Sequence, residues 1–251
     1  MTSPKNIIFG IHSVEALLAR QPERVQRLLV LRDRQDKKVT ELVTAAKAVG
    51  IPVELTGRQE LDRLVDEANH QGVVAFCHKQ AAFTEKDLEA YLEKINEPPF
   101  LLILDGVTDP HNLGACFRTA DAAGVHAIIA PKDKAAEITP VVSKVASGAA
   151  EVVPFVQVTN LVRAIENLKE RGIWIYGAAG EAEQSVYAAN IAGPAAFVLG
   201  AEGAGLRRLT REHCDVLIKI PMLGSVSSLN VSVATGVILF EAMRQRGLKK
   251  R

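Results

Sequence analysis

Cysteine is scarce in this chain: three residues, Cys77, Cys116 and Cys214, among 251. They are widely separated, form no CxxC pair and sit among apolar neighbours, which argues against a disulfide framework and leaves no ligand spacing for a zinc site, so no metal is expected. Long hydrophobic runs are missing as well. No stretch reaches the roughly 18 apolar residues of a membrane-spanning helix. The opening MTSPKNIIFG lacks the charged start and long apolar core of a secretion signal, so no membrane partner and a cytoplasmic location are expected. Charge of one sign is lacking too: 30 Lys and Arg against 29 Asp and Glu leave a net +1, unlike the strongly basic body of many nucleic-acid binders. Fixed-period repeats and low-complexity tracts are absent. No GK[ST] ending exists, which removes a phosphate-cradling NTPase loop. Gly200, Gly203 and Gly205 depart from the GxGxxG order and come late in the chain, so an oxidoreductase reading is poor.

What is present is an ordinary globular composition, 48% hydrophobic and 24% charged, enough for one large domain or two modest ones. Residues 1–78 read as a small α/β unit: IHSVEALLAR, KKVTELVTAAKAVG and RQELDRLVDEA carry helical periodicity, and RLLVL, IPVEL and GVVAFC read as strands. Residues 79–98, with AAFTEKDLEAYLEKINEPP, read as a linker holding a short helix that Pro98 and Pro99 end. Residues 99–251 alternate buried strands (FLLILDGV, HAIIAP, EVVPFV, GIWIYGAA, AAFVLG, VLIKIP) with helical segments. That alternation predicts an α/β fold with a mostly parallel sheet covered on both faces. Locally, basic residues gather at Arg32, Arg34, Lys37 and Lys38, at Arg207, Arg208 and Arg211, and at Arg244, Arg246, Lys249, Lys250 and Arg251. The middle group lies beside a glycine turn, where cationic side chains could meet phosphates.

Three polar clusters carry the chemistry. The first, DPHNLGACFRTADAAG (Asp109 to Gly124), follows a strand and enters a helix near Asn112, a plausible N-cap. Arg118 falls four positions after Gly114 and so shares a face with the first turn. An arginine on a small, apolar helix needs a partner if buried, so it is either functional or ion-paired with Asp121 or Glu202. The second cluster, VLGAEGAGLRRLTREHCD, makes a sharp turn at a strand's carboxyl end, where open α/β sheets bind ligands, and puts Glu202 on it. The third, IPMLGSVSSLNVSVATG (Ile220 to Gly236), sets Ser225, Ser227, Ser228 and Asn230 before a small-residue helix. Two of those serines could be simple caps, whereas Asn230 sits in an apolar pattern and would need partners if buried. Ser232, Ala234 and Gly236 permit close backbone packing, within the chain or across a dimer seam.

In this order, strand then NLGACFRT, strand then GAEGAG, strand then IPMLGSVSSLNVS, the clusters resemble the three motifs of the SpoU branch of the SPOUT methyltransferases. The stretch ILDGVTDPHNLGACFRTADAAGVHA and the segment SGAAEVVP are most similar to members that methylate a guanosine ribose in 23S ribosomal RNA. The resemblance implies a small, ribosomal-protein-like RNA-binding domain followed by a SPOUT domain whose C-terminal segment threads into a trefoil knot. It implies S-adenosyl-L-methionine as cofactor, held at Gly200, Ile220 and Leu229. It further implies a homodimer whose site draws on both subunits, with Arg118 acting on the ribose hydroxyl. Asn112, Glu202, Ser228 and Asn230 would form a polar shell: the asparagines orient Arg118 or the ribose, and Glu202 holds Arg118 or contacts the substrate. Because a guanidinium stays charged near neutrality, Arg118 is expected to position the hydroxyl and stabilise the developing alkoxide. Two alternatives stand beside this reading: a transfer RNA ribose methyltransferase, and an RNA-binding or ribosome-assembly protein without catalysis.

Overall fold

The structure, a computed structural model, describes residues 6–32, 34, 36–65, 67–78, 83–201 and 203–247. Two compact units divide the chain, Met1–Ala81 with Ile138–Val152, and Ala82–Glu137 with Val153–Arg251.

The first unit runs β1 (Asn6–Phe9), α1 (Ile11–Arg20), β2 (Val25–Leu31), α2 (Lys37–Ala48), β3 (Val53–Thr56), α3 (Arg58–Leu64) and β4 (Val73–Cys77). Its four-stranded sheet has the order β1-β4-β2-β3, with β4 antiparallel to both neighbours and β3 parallel to β2. Strand β4 is buried along its whole length, as its unbroken apolar run VVAFC requires at the centre of a sheet. Leu17, Val14, Leu28, Val39, Leu42 and Val73 form the core on one side, and Phe9, Leu29, Leu61 and Val74 a smaller one. The segment Ile138–Val152 contributes buried polar contacts here. Glu151 accepts from Arg24 Nη1 at 2.9 Å, and Ser13 donates to the Ser143 carbonyl at 3.2 Å.

The second unit contains α4 (Glu85–Leu92), β5 (Phe100–Asp105), α5 (Pro110–Ala123), β6 (Ala127–Pro131), β7 (Phe155–Val158), α7 (Leu161–Glu170), β8 (Trp174–Ala178), β9 (Gln184–Ser185), β10 (Ala195–Gly200), α8 (Arg208–Glu212), β11 (Val216–Lys219) and α9 (Val231–Gln245). Helix α6 (Pro140–Val145) lies in the segment that belongs to the first unit. The seven strands pair in the order β7-β6-β5-β10-β8-β11-β9, every pair parallel. This is the expected parallel α/β sheet, and its central strands β5, β6 and β10 are buried almost throughout. Helix α4 starts from a capping box between Thr84 and Asp87, and its Leu88 and Leu92 join the sheet core beside Leu101, Ile103 and Val198.

Several local expectations need correction. Strands β1 and β9 carry no signal in the sequence, because four and two residues are too short to display alternation. EVVPFV does not form one strand: Ala149–Glu151 is a 3-10 turn and β7 begins at Phe155, after Pro154, as suits a residue that cannot donate to a ladder. Helix α5 opens earlier than Asn112. Asp109 is its N-cap, accepting from the His111 amide at 3.0 Å, and Pro110 takes the first helical position, where its fixed φ and missing N–H cost nothing. Its end at Gly124, with φ +78, is as expected.

Candidate active site

Three neighbouring strands, β10, β8 and β11, end side by side in the parallel sheet, and the loops leaving their carboxyl ends enclose a cleft of about 790 Å³. Open α/β sheets bind ligands in this position. The walls come from 178–181 at the end of β8, from 199–201 and 203–206 at the end of β10, from Arg211 on α8, and from β11 and α9 with the loop between them.

The turn after β10 depends on its glycines. A Cβ on Gly200 would collide with the carbonyl of Gly205, whose own amide donates to Ala201 O at 2.9 Å. Gly203 and Gly205 have φ of +75 and +65, the left-handed region that glycine enters without steric cost. The far end of the turn is anchored by Asp105 at the tip of β5. This buried carboxylate accepts from the Arg207 amide at 2.9 Å and faces Arg207 Nε at 3.4 Å.

In the third loop Ile220 and Leu229 are half-buried and line the cleft, and Ser228 and Asn230 are exposed on its rim. Asn230 is exposed rather than buried within its apolar pattern. It is the N-cap of α9, accepting from the Ser232 amide at 2.9 Å, while its Nδ2 donates to Asn112 Oδ1 at 3.0 Å. The predicted cap role of Asn112 therefore passes to Asp109, and the two asparagines meet, 118 positions apart in sequence. Below that contact α5 packs against α9, with Cys116 Sγ 3.4 Å from the buried Thr235 hydroxyl.

Of the eight residues singled out in the sequence, Gly200, Ile220, Ser228, Leu229 and Asn230 line the cleft, and Asn112 joins it through Asn230. Glu202 lies outside the described residues. Arg118 does not line the cleft of its own chain: it is exposed on α5 and forms no ion pair with Asp121 or any other described carboxylate. The expected cationic patch is also altered. Arg207 faces Asp105, Arg208 pairs with Glu212 at 2.8 Å and Arg211 pairs with Glu181, so each guanidinium already has a carboxylate. Sequence reasoning missed Glu181, Asp105 and the loop Ala178–Glu181, although GAAG at the end of a predicted strand repeats the strand-then-glycine signal of the second motif.

Among the described residues no group of three His, Cys, Asp or Glu side chains gathers to hold a metal, and no helix is long and apolar enough to cross a membrane. Burial pushes the thiols of Cys77 and Cys214 up to about 12 and that of Cys116 to about 11, which keeps them protonated and poorly nucleophilic.

A glycine-rich turn, apolar walls from Leu199, Ile218, Ile220 and Leu229, and polar groups on one rim suit a flat aromatic base with a polar tail better than a metal or a bare phosphate. Comparison with known proteins agrees with this. Residues 99–240 match the SpoU rRNA methylase family, and residues 7–82 match the RNA 2'-O ribose methyltransferase substrate-binding family. The chain belongs to the SpoU methylase family. Its relatives include the 23S rRNA (guanosine-2'-O-)-methyltransferase RlmB of Yersinia pestis, 56% identical over 97% of this chain and 98% of that protein. The protein of that name from Escherichia coli K12 is 55% identical over 96% and 98%. The SpoU methyltransferase AviRb from Streptomyces viridochromogenes, solved with AdoMet, superposes with a TM-score of 0.79 at 26% identity, covering 97% of this chain and 91% of that one. The A. aeolicus TrmH/SpoU tRNA modifying enzyme aligns over 64% of this chain and 82% of that one, with a TM-score of 0.55 and 34% identity.

Proposed function

We propose that this protein methylates the ribose 2'-hydroxyl of a guanosine in 23S ribosomal RNA, using S-adenosyl-L-methionine. The observation that carries the proposal is the convergence of the loops after β8, β10 and β11 on one cleft in a chain 55–56% identical, over nearly its full length, to proteins named for that reaction. The site residues fit the cofactor. Gly200 and the turn after it offer peptide groups at close approach, and Ile220 and Leu229 offer apolar contact to a purine. When bound, the cofactor supplies an electrophilic methyl group on a sulfonium.

The remaining work falls to the protein: aligning the hydroxyl with that methyl and easing removal of its proton. Asn230 and Asn112, hydrogen-bonded to each other, form a fixed amide pair at the rim, and Ser228 stands beside them. Arg118 steadies the hydroxyl oxygen as its proton leaves, with Glu202 in the same polar shell. Since Arg118 stands outside its own cleft, it serves the cleft of a second protomer in a homodimer. Exposed Val233 and Phe240 on α9 support such a seam. The C-terminal segment from β11 through α9 forms a trefoil knot, residues 1–78 bind the RNA, residues 79–98 connect them to the catalytic domain at 99–251, and the protein works in the cytoplasm. The substrate-binding family match over residues 7–82 supports the RNA role of the first unit.

The test is incubation of the protein with labelled S-adenosyl-L-methionine and unmodified 23S ribosomal RNA, followed by mapping of the labelled nucleotide. Label on a guanosine ribose is the expected outcome. Label confined to transfer RNA, or RNA binding without transfer, overturns it.

A further inference from the structure

Three charged side chains line the described walls of the cleft: Glu181 on the loop leaving β8, Arg211 on α8, and Lys219 at the end of β11. Glu181 and Arg211 form an ion pair, with side-chain exposures of 57% and 43%. A pair this exposed adds little to stability, because water screens it and two flexible side chains must be held still. The walls beside it are apolar, from Leu199, Ile218, Ile220 and Leu229, and low-dielectric walls focus the field of the charges among them.

On the reading proposed above, this cleft handles two ligands in succession that share their adenosine and amino-acid parts. They differ by one charge: the donor carries a sulfonium cation, and the demethylated product is a neutral thioether. We propose that Glu181 and Arg211 set the preference of the cleft between donor and product. The Glu181 carboxylate favours the cationic donor. Arg211, paired to that carboxylate and positively charged itself, opposes that preference and limits its size. Lys219 contributes a background that neither substitution changes.

The two residues of one ion pair then have opposite effects, which a structural role does not produce. Calorimetric titration of the full-length protein with S-adenosyl-L-methionine and, separately, with S-adenosyl-L-homocysteine reads the ratio of the two dissociation constants. Glu181→Gln is expected to lower the preference for the donor by about threefold, and Arg211→Gln to raise it by about threefold, the size of a partly screened charge interaction. Glu181→Gln combined with Arg211→Gln returns the ratio close to its starting value, and Glu181→Asp retains it. If both single variants move the ratio the same way, or weaken both ligands equally, the pair is structural and the inference falls. If the unaltered protein binds neither ligand, the cofactor reading of the cleft falls with it. Thermal melts of each variant establish that these exposed substitutions leave the fold in place.

Discussion

At position 200 a single methyl group separates a working turn from a blocked one. The Cβ of an alanine there would strike the Gly205 carbonyl, so the backbone turn would have to open to admit it. Gly200→Ala is expected to weaken S-adenosyl-L-methionine binding by at least about tenfold, roughly 1.4 kcal/mol, in calorimetric titration, with helix content unchanged by circular dichroism. Undiminished binding would remove this turn from the cofactor site. Arg118 makes the opposite case: it lies outside the cleft of its own chain, so its loss should spare the cofactor. Arg118→Ala is expected to lower methyl transfer by at least about a hundredfold, the scale of an aligned proton-transfer or charge-stabilising group, while cofactor affinity stays within about twofold. Arg118→Lys separates charge from guanidinium geometry: retained transfer with a shifted pH profile means charge suffices. Arg118 was legible in the sequence as a lone cation on a small-residue helix, but its exposure was not, because helical periodicity does not say which face a neighbouring helix covers.

Helices α5 and α9 act together at the next scale. Both begin at the site, with Asn112 in the first turn of α5 bonded to Asn230, the cap of α9, and both continue as a packed pair through Cys116 and Thr235. Their shared outer surface leaves Val233 and Phe240 about half exposed, seven residues apart and thus on one face of α9. This apolar face is where the proposed homodimer would place its seam. For the proposed homodimer, Phe240→Asp is expected to give a monomer in size-exclusion chromatography with light scattering, and to abolish methyl transfer without loss of the folded state. A dimer that survives Phe240→Asp and Val233→Asp together would place the seam elsewhere. The helix ends show how local chemistry was only partly readable. Asp109 and Asn112 are equally good caps by residue type; Pro110 between them decides, since proline belongs at the first helical position and not in the residue run before it.

For the whole molecule, two units with separate cores divide the work, and the segment Ile138–Val152 returns to the first unit after two strands of the second. Glu151 is its buried anchor, 2.9 Å from Arg24, with side-chain exposures of 3% and 11%. Removing one partner of a buried pair leaves the other uncompensated, at a cost of about 3 kcal/mol or more. Glu151→Ala is expected to destabilise the first unit by about that amount in urea unfolding, while calorimetric affinity for S-adenosyl-L-methionine is unchanged. A parallel loss of cofactor affinity would mean that the two units do not unfold independently. No feature of SGAAEVVP as a sequence announced this role; the partner Arg24 lies 127 positions away.

The sequence by itself determined the alternation of buried strands and helices, hence the parallel α/β sheet, and the residue types of the three loops, because strand burial, turn glycines and helix caps are short-range demands that each segment meets alone. It also held enough of the motif order to identify the family. Only the tertiary structure decided that the strands ending at Ala178, Gly200 and Lys219 are neighbours, that Glu181 and Arg211 share the resulting cleft, and that Arg118 does not line it. Strand order and helix facing are long-range outcomes of packing, set by which apolar surfaces fit together, and no window of sequence contains both partners.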